Sequence, residues 1–264
     1  MNTISPIGVF DSGIGGLSVW KELSSALPGE SMMYLADSAH APYGTKSKKY
    51  ITERSRVITS FLLDRGCKLI VVACNTATGA AITTLRREYE VPFIGVEPAV
   101  KPAALASKTG HIGVLATART FKGEHFIRTK GMFAGAVEVH VQAGTGLVEL
   151  IEAGLLKSVE THDLLEHYLR PMIESGIDQL VLGCTHYPFL IPMIRNILPV
   201  GVTIIDPAPA VARQTRKVLE NFRGLNPGPD SPVHQFFTTG DPGPLELIIK
   251  QVSGNQPAEV IRTI

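Results

Sequence analysis

The chain has 264 residues, which is room for one large or two small domains at the usual domain size. Lys and Arg number 25 against 24 Asp and Glu, so the net charge is +1 and there is no electrostatic footprint for general binding to a nucleic-acid backbone. With 44% hydrophobic and 19% charged residues the chain can build a proper core, which excludes intrinsic disorder as its main state.

In chain order the spacing predicts a strand at 7–10, a helix over 17–27, a strand at 31–35 and a helix over 47–65. A strand at 69–73, a helix over 77–89 and a strand at 93–96 follow. Further strands fall at 112–115, 180–182 and 202–205, with another at 137–141 and helices between and after them. Short, near-continuous apolar strands separated by helices imply a parallel sheet covered on both faces. The apolar runs at 69–73 and 180–182 are strand-sized, far short of the roughly 20 residues that cross a membrane as a helix. The first residues lack the basic and apolar regions of a signal peptide. Three cysteines, Cys67, Cys74 and Cys184, form no disulfide framework. A cytoplasmic protein without membrane partners is expected.

The chain also repeats itself. Ile7-Gly-Val-Phe-Asp-Ser reads against Ile112-Gly-Val-Leu-Ala-Thr at an offset of 105 residues. Gly66 stands eight residues before Cys74, and Gly176 eight before Cys184. Leu69-Ile-Val-Val-Ala-Cys-Asn-Thr reads against Gln179-Leu-Val-Leu-Gly-Cys-Thr-His at an offset of 110, and Glu97-Pro-Ala against Asp206-Pro-Ala at 109. Landmarks in the same order at nearly constant offset imply an internal duplication. The expected fold is therefore α/β, with two similar lobes, each a parallel sheet flanked by helices, and an active site in the cleft between them. Residues 1–97 plus 208–264 would form the first lobe and 98–207 the second, because Glu97-Pro98 and Asp206-Pro207 are matched points where proline redirects the chain.

Cys74 and Cys184 hold the same place in the two halves. Each follows a strand and precedes a helix-compatible stretch, and ligands of open α/β sheets bind at the carboxyl ends of the strands. A helix N-terminus there favours a thiolate. Cys67 matches Ile177 and reads as a small buried hydrophobe. Two thiols approaching one carbon from opposite sides could remove a proton from one face and return one to the other. Asp11-Ser-Gly-Ile-Gly-Gly leads from the first strand into a helix and suits an anion such as a carboxylate, although it is no dinucleotide fingerprint. Asp11 and Ser12 read either as helix caps or as partners in catalysis. The segment from Asp37 to Gly44 reads either as a surface loop or as part of the site. The eight histidines show no zinc spacing, and no lysine sits in a pyridoxal-phosphate context, so neither metal nor cofactor is expected.

Phe10-Asp-Ser-Gly-Ile-Gly-Gly-Leu, Ala41-Pro-Tyr-Gly, Ala73-Cys-Asn-Thr-Ala-Thr, Gly95-Val-Glu-Pro-Ala and Leu182-Gly-Cys-Thr-His-Tyr-Pro closely resemble motifs of the glutamate racemases, within the aspartate/glutamate racemase superfamily. The resemblance runs from about residue 7 to about residue 215. It implies an isomerase that interconverts L- and D-glutamate without a cofactor and supplies D-glutamate for peptidoglycan. It implies that Cys74 and Cys184 are the acid/base thiols, Cys74 serving D-glutamate and Cys184 L-glutamate, with Asp11 assisting the first and His186 the second. Asp11, Ser12, Pro42, Tyr43, Gly44, Asn75, Thr76, Thr185 and His186 would hold the substrate. Glu152 resembles a further acidic helper, although the segment Val141-Gln-Ala-Gly-Thr-Gly before it departs from the family pattern. Thr117, the counterpart of Ser12, would be another substrate contact. A homodimer is expected, C2 pairing being the commonest arrangement. Three other readings remain: a racemase acting on aspartate or another amino acid, a cysteine-nucleophile hydrolase, and a non-catalytic amino-acid-binding or interaction protein.

Overall fold

Strands that are apolar along their whole length need cover on both faces, and the chain supplies it by alternating strands with helices. The computed structural model describes residues 2–133, 135–226, 228, 232–253 and 259–263. The elements run β1 (Ile7–Asp11), α1 (Leu17–Ala26), β2 (Met32–Ala36), α2 (Lys48–Asp64), β3 (Leu69–Val72), α3 (Asn75–Glu88) and β4 (Phe93–Gly95). Next come α4 (Val100–Ala106), β5 (His111–Ala116), α5 (Ala118–Phe121), α6 (Glu124–Phe133), β6 (Glu138–Ala143), α7 (Leu147–Glu152), α8 (Val159–Glu174), β7 (Gln179–Gly183), α9 (Ile191–Ile197) and β8 (Thr203–Ile205). The chain ends with α10 (Ala208–Asn221), β9 (His234–Thr238), α11 (Pro242–Val252) and β10 (Val260–Arg262).

Two compact units result, Met1–Val96 with Ala208–Ile264, and Glu97–Pro207. Among the described residues the first holds a six-stranded sheet in the order β10-β9-β2-β1-β3-β4, and the second a four-stranded sheet in the order β6-β5-β7-β8. Every described strand pair is parallel. Taken by rank within each unit, β2-β1-β3-β4 and β6-β5-β7-β8 are the same winding. The registers also correspond, Ile7 opposite Leu69 in one and Ile112 opposite Gln179 in the other. Strands β9 and β10 extend the first sheet. The sequence reading missed both, because β10 is three residues long with two of them exposed and β9 begins on polar His234 and Gln235. The other strands match the expected ones to within one or two residues.

Helices α2, α8 and α11 start where a side chain meets a free amide. Ser47 accepts a hydrogen bond from the Tyr50 amide, Ser158 from the Thr161 amide, and Asp241 from the Gly243 amide. Helices α2 and α8 both end on a glycine in the left-handed region, Gly66 at φ +82 and Gly176 at φ +75. After each, the chain enters the central part of its sheet through a buried residue, Cys67 or Ile177, that fills the space over a strand glycine. A β-carbon on Gly8 would lie 3.2 Å from Cys67 Sγ, and one on Gly113 would lie 2.9 Å from Ile177 Cδ1. Cys67 is thus a packing residue, its thiol donating to Met33 Sδ at 3.8 Å, and burial pushes its pKa up to about 12.

The core of the first unit joins Phe10, Leu35 and Val72 of the sheet to Ile58 and Leu62 of α2 and Leu85 of α3. In the second unit Val114, Ala116 and Val181 pack with Val100 and Ala103 of α4 and Phe126 of α6. Both cores leave the carboxyl ends of the strands to loops.

Candidate active site

At the carboxyl end of β1 the chain turns through five residues into α1. The turn is held by Asp11, which is fully buried. Its Oδ1 accepts hydrogen bonds from the Ser12 amide at 2.6 Å and the Ser12 hydroxyl at 3.3 Å, and its Oδ2 accepts one from the Gly16 amide at 2.6 Å. Gly16 has no alternative, since a β-carbon there would stand 2.7 Å from Asp11 Cβ and 2.9 Å from the Tyr34 hydroxyl. Tyr34 in turn donates to the Gly13 carbonyl at 2.7 Å. A carboxylate therefore fixes both the glycine loop and the serine it presents.

Cys74 follows β3 and is the N-cap of α3, which begins at Asn75, two residues earlier than the apolar spacing predicts. Its Sγ accepts from the Ala77 amide at 3.5 Å, and its thiol reaches Ser12 Oγ at 3.8 Å. The sulfur stands at the positive end of a fourteen-residue helix, a position that favours negative charge on it. Asn75 and Thr76 are buried beside it. Asn75 Nδ2 donates to the Val96 carbonyl at 3.4 Å, while its buried Oδ1 has no hydrogen-bond partner. An unmatched acceptor at that depth suits a ligand that brings its own donor.

Pro42 precedes a single 3-10 turn, Tyr43–Thr45, that contains Gly44 and buries Tyr43. The Tyr43 hydroxyl donates to Asp37 Oδ2 at 2.5 Å. Asp37 follows β2 as Asp11 terminates β1, and it too is fully buried. Arg54 of α2 grips it with Nε at 3.0 Å and Nη2 at 2.7 Å, and Thr239, just past β9, adds a hydroxyl at 3.1 Å. Burial and the Asp37 carboxylate push the Tyr43 phenol far above its usual pKa, so it stays a protonated donor.

In the second unit Cys184 comes directly after β7, with Thr185 and His186 buried next to it. Here the local structure departs from expectation. Cys184 leads into a turn, a 3-10 segment at Tyr187–Leu190 and then α9, and it caps no α-helix. Pro188 and Pro192 explain this. Neither carries an amide hydrogen, and each is accommodated in the first turn of its own short segment. What Cys184 has instead is an imidazole. His186 Nδ1 lies 3.7 Å from Cys184 Sγ, and His186 Nε2 lies 2.6 Å from Glu152 Oε1. Burial opposes charge on the ring, but the contacts to Cys184 and Glu152 outweigh it and hold the His186 pKa well above its usual value.

Glu152 is the last residue of α7, and the unusual segment at 141–146 sets that helix. Gly146 caps it at φ +86, and Gly144 lies so close to the Tyr187 ring that no side chain fits. The Tyr187 hydroxyl donates to the Gly144 carbonyl at 3.2 Å.

Residues 7–215 match the family model described as Asp/Glu/Hydantoin racemase. The chain belongs to that racemase family. A glutamate racemase of Pseudomonas paraeruginosa is 48% identical over 253 residues, 96% of this chain and 95% of that one. Among solved structures, a glutamate racemase isoform of Bacillus anthracis superposes with a TM-score of 0.90 at 32% identity, covering 100% of this chain and 98% of that one. The Escherichia coli glutamate racemase, solved in complex with L-glutamate and the activator UDP-MurNAc-ala, gives 0.84 at 34% identity, covering 98% of this chain and 99% of that one.

Within this racemase-family chain the first unit gathers Asp11, Ser12, Tyr43, Asn75 and Thr76 at the strand ends around Cys74, and the second gathers Glu152, Thr185 and His186 around Cys184. Thr117 follows β5 at the position Ser12 holds after β1. Its Oγ1 accepts from the Thr120 amide at 3.3 Å and lies 2.9 Å from Thr120 Oγ1, so the hydroxyl caps the short α5. The sequence reading missed Arg54 and Thr239. Asp37 was legible as a strand-end carboxylate, and a buried carboxylate demands a cation, which is the signal that could have pointed to Arg54.

Proposed function

We propose that the chain is a glutamate racemase, an isomerase that interconverts L- and D-glutamate by two-thiol proton transfer at Cα. The observation that carries this reading is a cysteine at the carboxyl end of the third strand of each unit's parallel sheet. It is joined by 48% identity to a glutamate racemase over nearly the whole of both chains.

The Cα proton of an amino acid is very weakly acidic, so the base must be a thiolate and the opposite acid a thiol. The two half-sites arm their sulfurs differently. Cys74 has the amides of α3, with Asp11 acting through Ser12. Cys184 has the His186 imidazolium, with Glu152 behind it. Negative charge on either sulfur, before it takes a proton or after it gives one up, meets a fixed positive end. Cys74 takes the proton from D-glutamate and Cys184 from L-glutamate. The amides of the glycine loop and of residues 75–76 and 185–186 receive the substrate carboxylates, and Asn75 Oδ1 and the Asp11–Ser12 pair face its ammonium. Ser12, Pro42, Tyr43, Gly44, Thr76, Thr117, Thr185 and His186 complete the substrate contacts. No step calls for a metal or for pyridoxal phosphate, because both proton carriers belong to the chain. D-glutamate so formed supplies peptidoglycan synthesis, and with it cell-wall growth and cell shape. We read the enzyme as a cytoplasmic homodimer. No described helix is long and apolar enough to cross a membrane.

The test is optical rotation of L-glutamate with purified protein and no added cofactor. Rotation decays to zero, while L-aspartate keeps its rotation. A faster loss with L-aspartate would move the assignment to another racemase of the family. Binding of glutamate without any loss would leave only a binding protein.

A further inference from the structure

His111 opens β5, and Glu138 and His140 lie on β6, the edge strand of the four-stranded sheet. Residues two apart on a strand face the same way, so Glu138 and His140 share a face. The register sets His111 opposite Glu138 and Gly113 opposite His140. His140 therefore stands diagonally across the β5–β6 pair from His111, two residues along the strands. The two rings stack with centroids 5.4 Å apart and an interplanar angle of 27°.

The donor atoms converge. His111 Nδ1 is 3.1 Å from His140 Nε2. Glu138 Oε2 is 3.6 Å from His111 Nδ1, and Glu138 Oε1 is 3.8 Å from His140 Nε2. Zinc binds imidazole nitrogen and carboxylate oxygen at about 2.0–2.2 Å, and tetrahedral angles then separate two ligand atoms by about 3.3–3.5 Å. The two imidazole nitrogens at 3.1 Å are already near that spacing. One donor atom from each of the three residues lies within 4.8 Å of the others. Rotation of the exposed Glu138 side chain brings a single carboxylate oxygen onto an ion held by both rings. Two imidazoles and one carboxylate favour a borderline transition ion over magnesium or calcium.

We propose that His111, Glu138 and His140 form a binding site for a divalent transition-metal ion, with zinc as the probe of choice. The site is separate from the proton-transfer chemistry. Ala116 pairs with Gly183, the residue before Cys184. His111 lies five residues back along β5, about 17 Å at the usual rise per residue. The ion has water access, since the Glu138 side chain is 67% exposed, and water completes its coordination. Its effect is to clip edge strand β6 to β5. It acts on stability rather than on turnover. A hydrogen bond between the two imidazoles, at the same 3.1 Å, is the alternative use of this cluster.

The experiment is calorimetric titration of zinc chloride into the chelator-stripped full chain, comparing wild type with His140→Ala and Glu138→Gln. Cysteine thiols also take up zinc, so the decisive quantity is the difference between chains that keep all three cysteines. Wild type should bind one equivalent more than His140→Ala. At that site the variant should lose more than the roughly 10–100-fold that removing a group which merely orients a ligand costs. Glu138→Gln should weaken the same step while changing only an exposed position, and it carries the comparison if His140→Ala fails to fold. Zinc at a hundredfold excess over Kd should raise the wild-type melting temperature by about 5–10 °C. Racemisation in metal-free buffer should be equal in all three. Equal zinc stoichiometry and affinity in wild type and the variants would overturn the proposal and leave the hydrogen-bonded histidine pair.

Discussion

Glu152 Oε1 and His186 Nε2 meet at 2.6 Å although the residues belong to different elements, the end of α7 and the turn after β7. The ring's other nitrogen is turned to Cys184, so the carboxylate fixes both its orientation and its charge. Removing that carboxylate tests the arrangement. Glu152→Gln should lower kcat/KM by roughly 10–100-fold, a part of the 10²–10⁴ that positioned acid–base groups supply. The loss must be the same in both directions, because L- and D-glutamate have equal free energy. The alkaline limb of the pH–rate profile should move to lower pH as His186 releases its proton more easily. An unmoved limb would show that Glu152 does not govern His186.

The same pair makes a statement about stability. The folded-state pKa of His186 stands above its unfolded value, so the folded chain holds that proton more tightly. This contribution is complete below about pH 6.5 and is lost as pH rises through the folded value. Urea midpoints measured from about pH 6.5 upwards should therefore fall more steeply for wild type than for Glu152→Gln. Parallel curves would contradict the assignment.

Cys74→Ala and Cys184→Ala should each abolish racemisation, because the group that takes the proton and the group that returns one are both obligatory. Isotope distribution separates this from a one-base mechanism. In heavy water, early D-glutamate formed from L-glutamate should carry solvent deuterium, and recovered L-glutamate should carry little. Substrate hydrogen retained in the early product, or near-native turnover by Cys184→Ala, would refute the two-thiol scheme.

Asp37 is a buried charge with four hydrogen bonds from three partners. Replacing it with Ala leaves the Arg54 guanidinium without its carboxylate and should destabilise the fold by about 3–5 kcal/mol. Tyr43→Phe leaves the ion pair intact and should cost only about 1–3 kcal/mol. Thermal unfolding should rank the two in that order, and the reverse ranking would mean that Arg54 is not the anchor.

Gly16→Ala tests the loop at the end of β1. The new methyl would press on Asp11 Cβ, the Tyr34 hydroxyl and Ala73 Cβ at 2.7, 2.9 and 3.1 Å. Overpacking of this kind costs about 1–3 kcal/mol. Because Asp11 must shift, kcat should fall as well. Full activity with lowered stability would show that Asp11 has no part in placing Ser12.

Strands β1, β3, β5 and β7 were legible because each is an apolar run buried at the centre of a parallel sheet. The matched cysteines were legible because the half-sites repeat in order and spacing. The parts that were hidden depend on contacts between distant positions. Arg54 reaches Asp37 across 17 residues, Thr239 reaches it across 202, and His111 meets His140 across 29. No local period marks such meetings. The divergence at Cys184 was written in two prolines, Pro188 and Pro192, and only the helix starts make their effect plain.

Strand β9 pairs with β2 from Met32 opposite His234 to Ala36 opposite Thr238. During synthesis β2 therefore waits for a neighbour encoded about two hundred residues downstream. At roughly 5–20 residues per second that wait lasts about 10–40 s. Through it the nascent amino-terminal sheet offers an open, largely apolar rim, the kind of edge that recruits foreign strands. Yield in a cell should therefore respond to translation speed and to chaperones that cover such rims, even when the finished enzyme is robust.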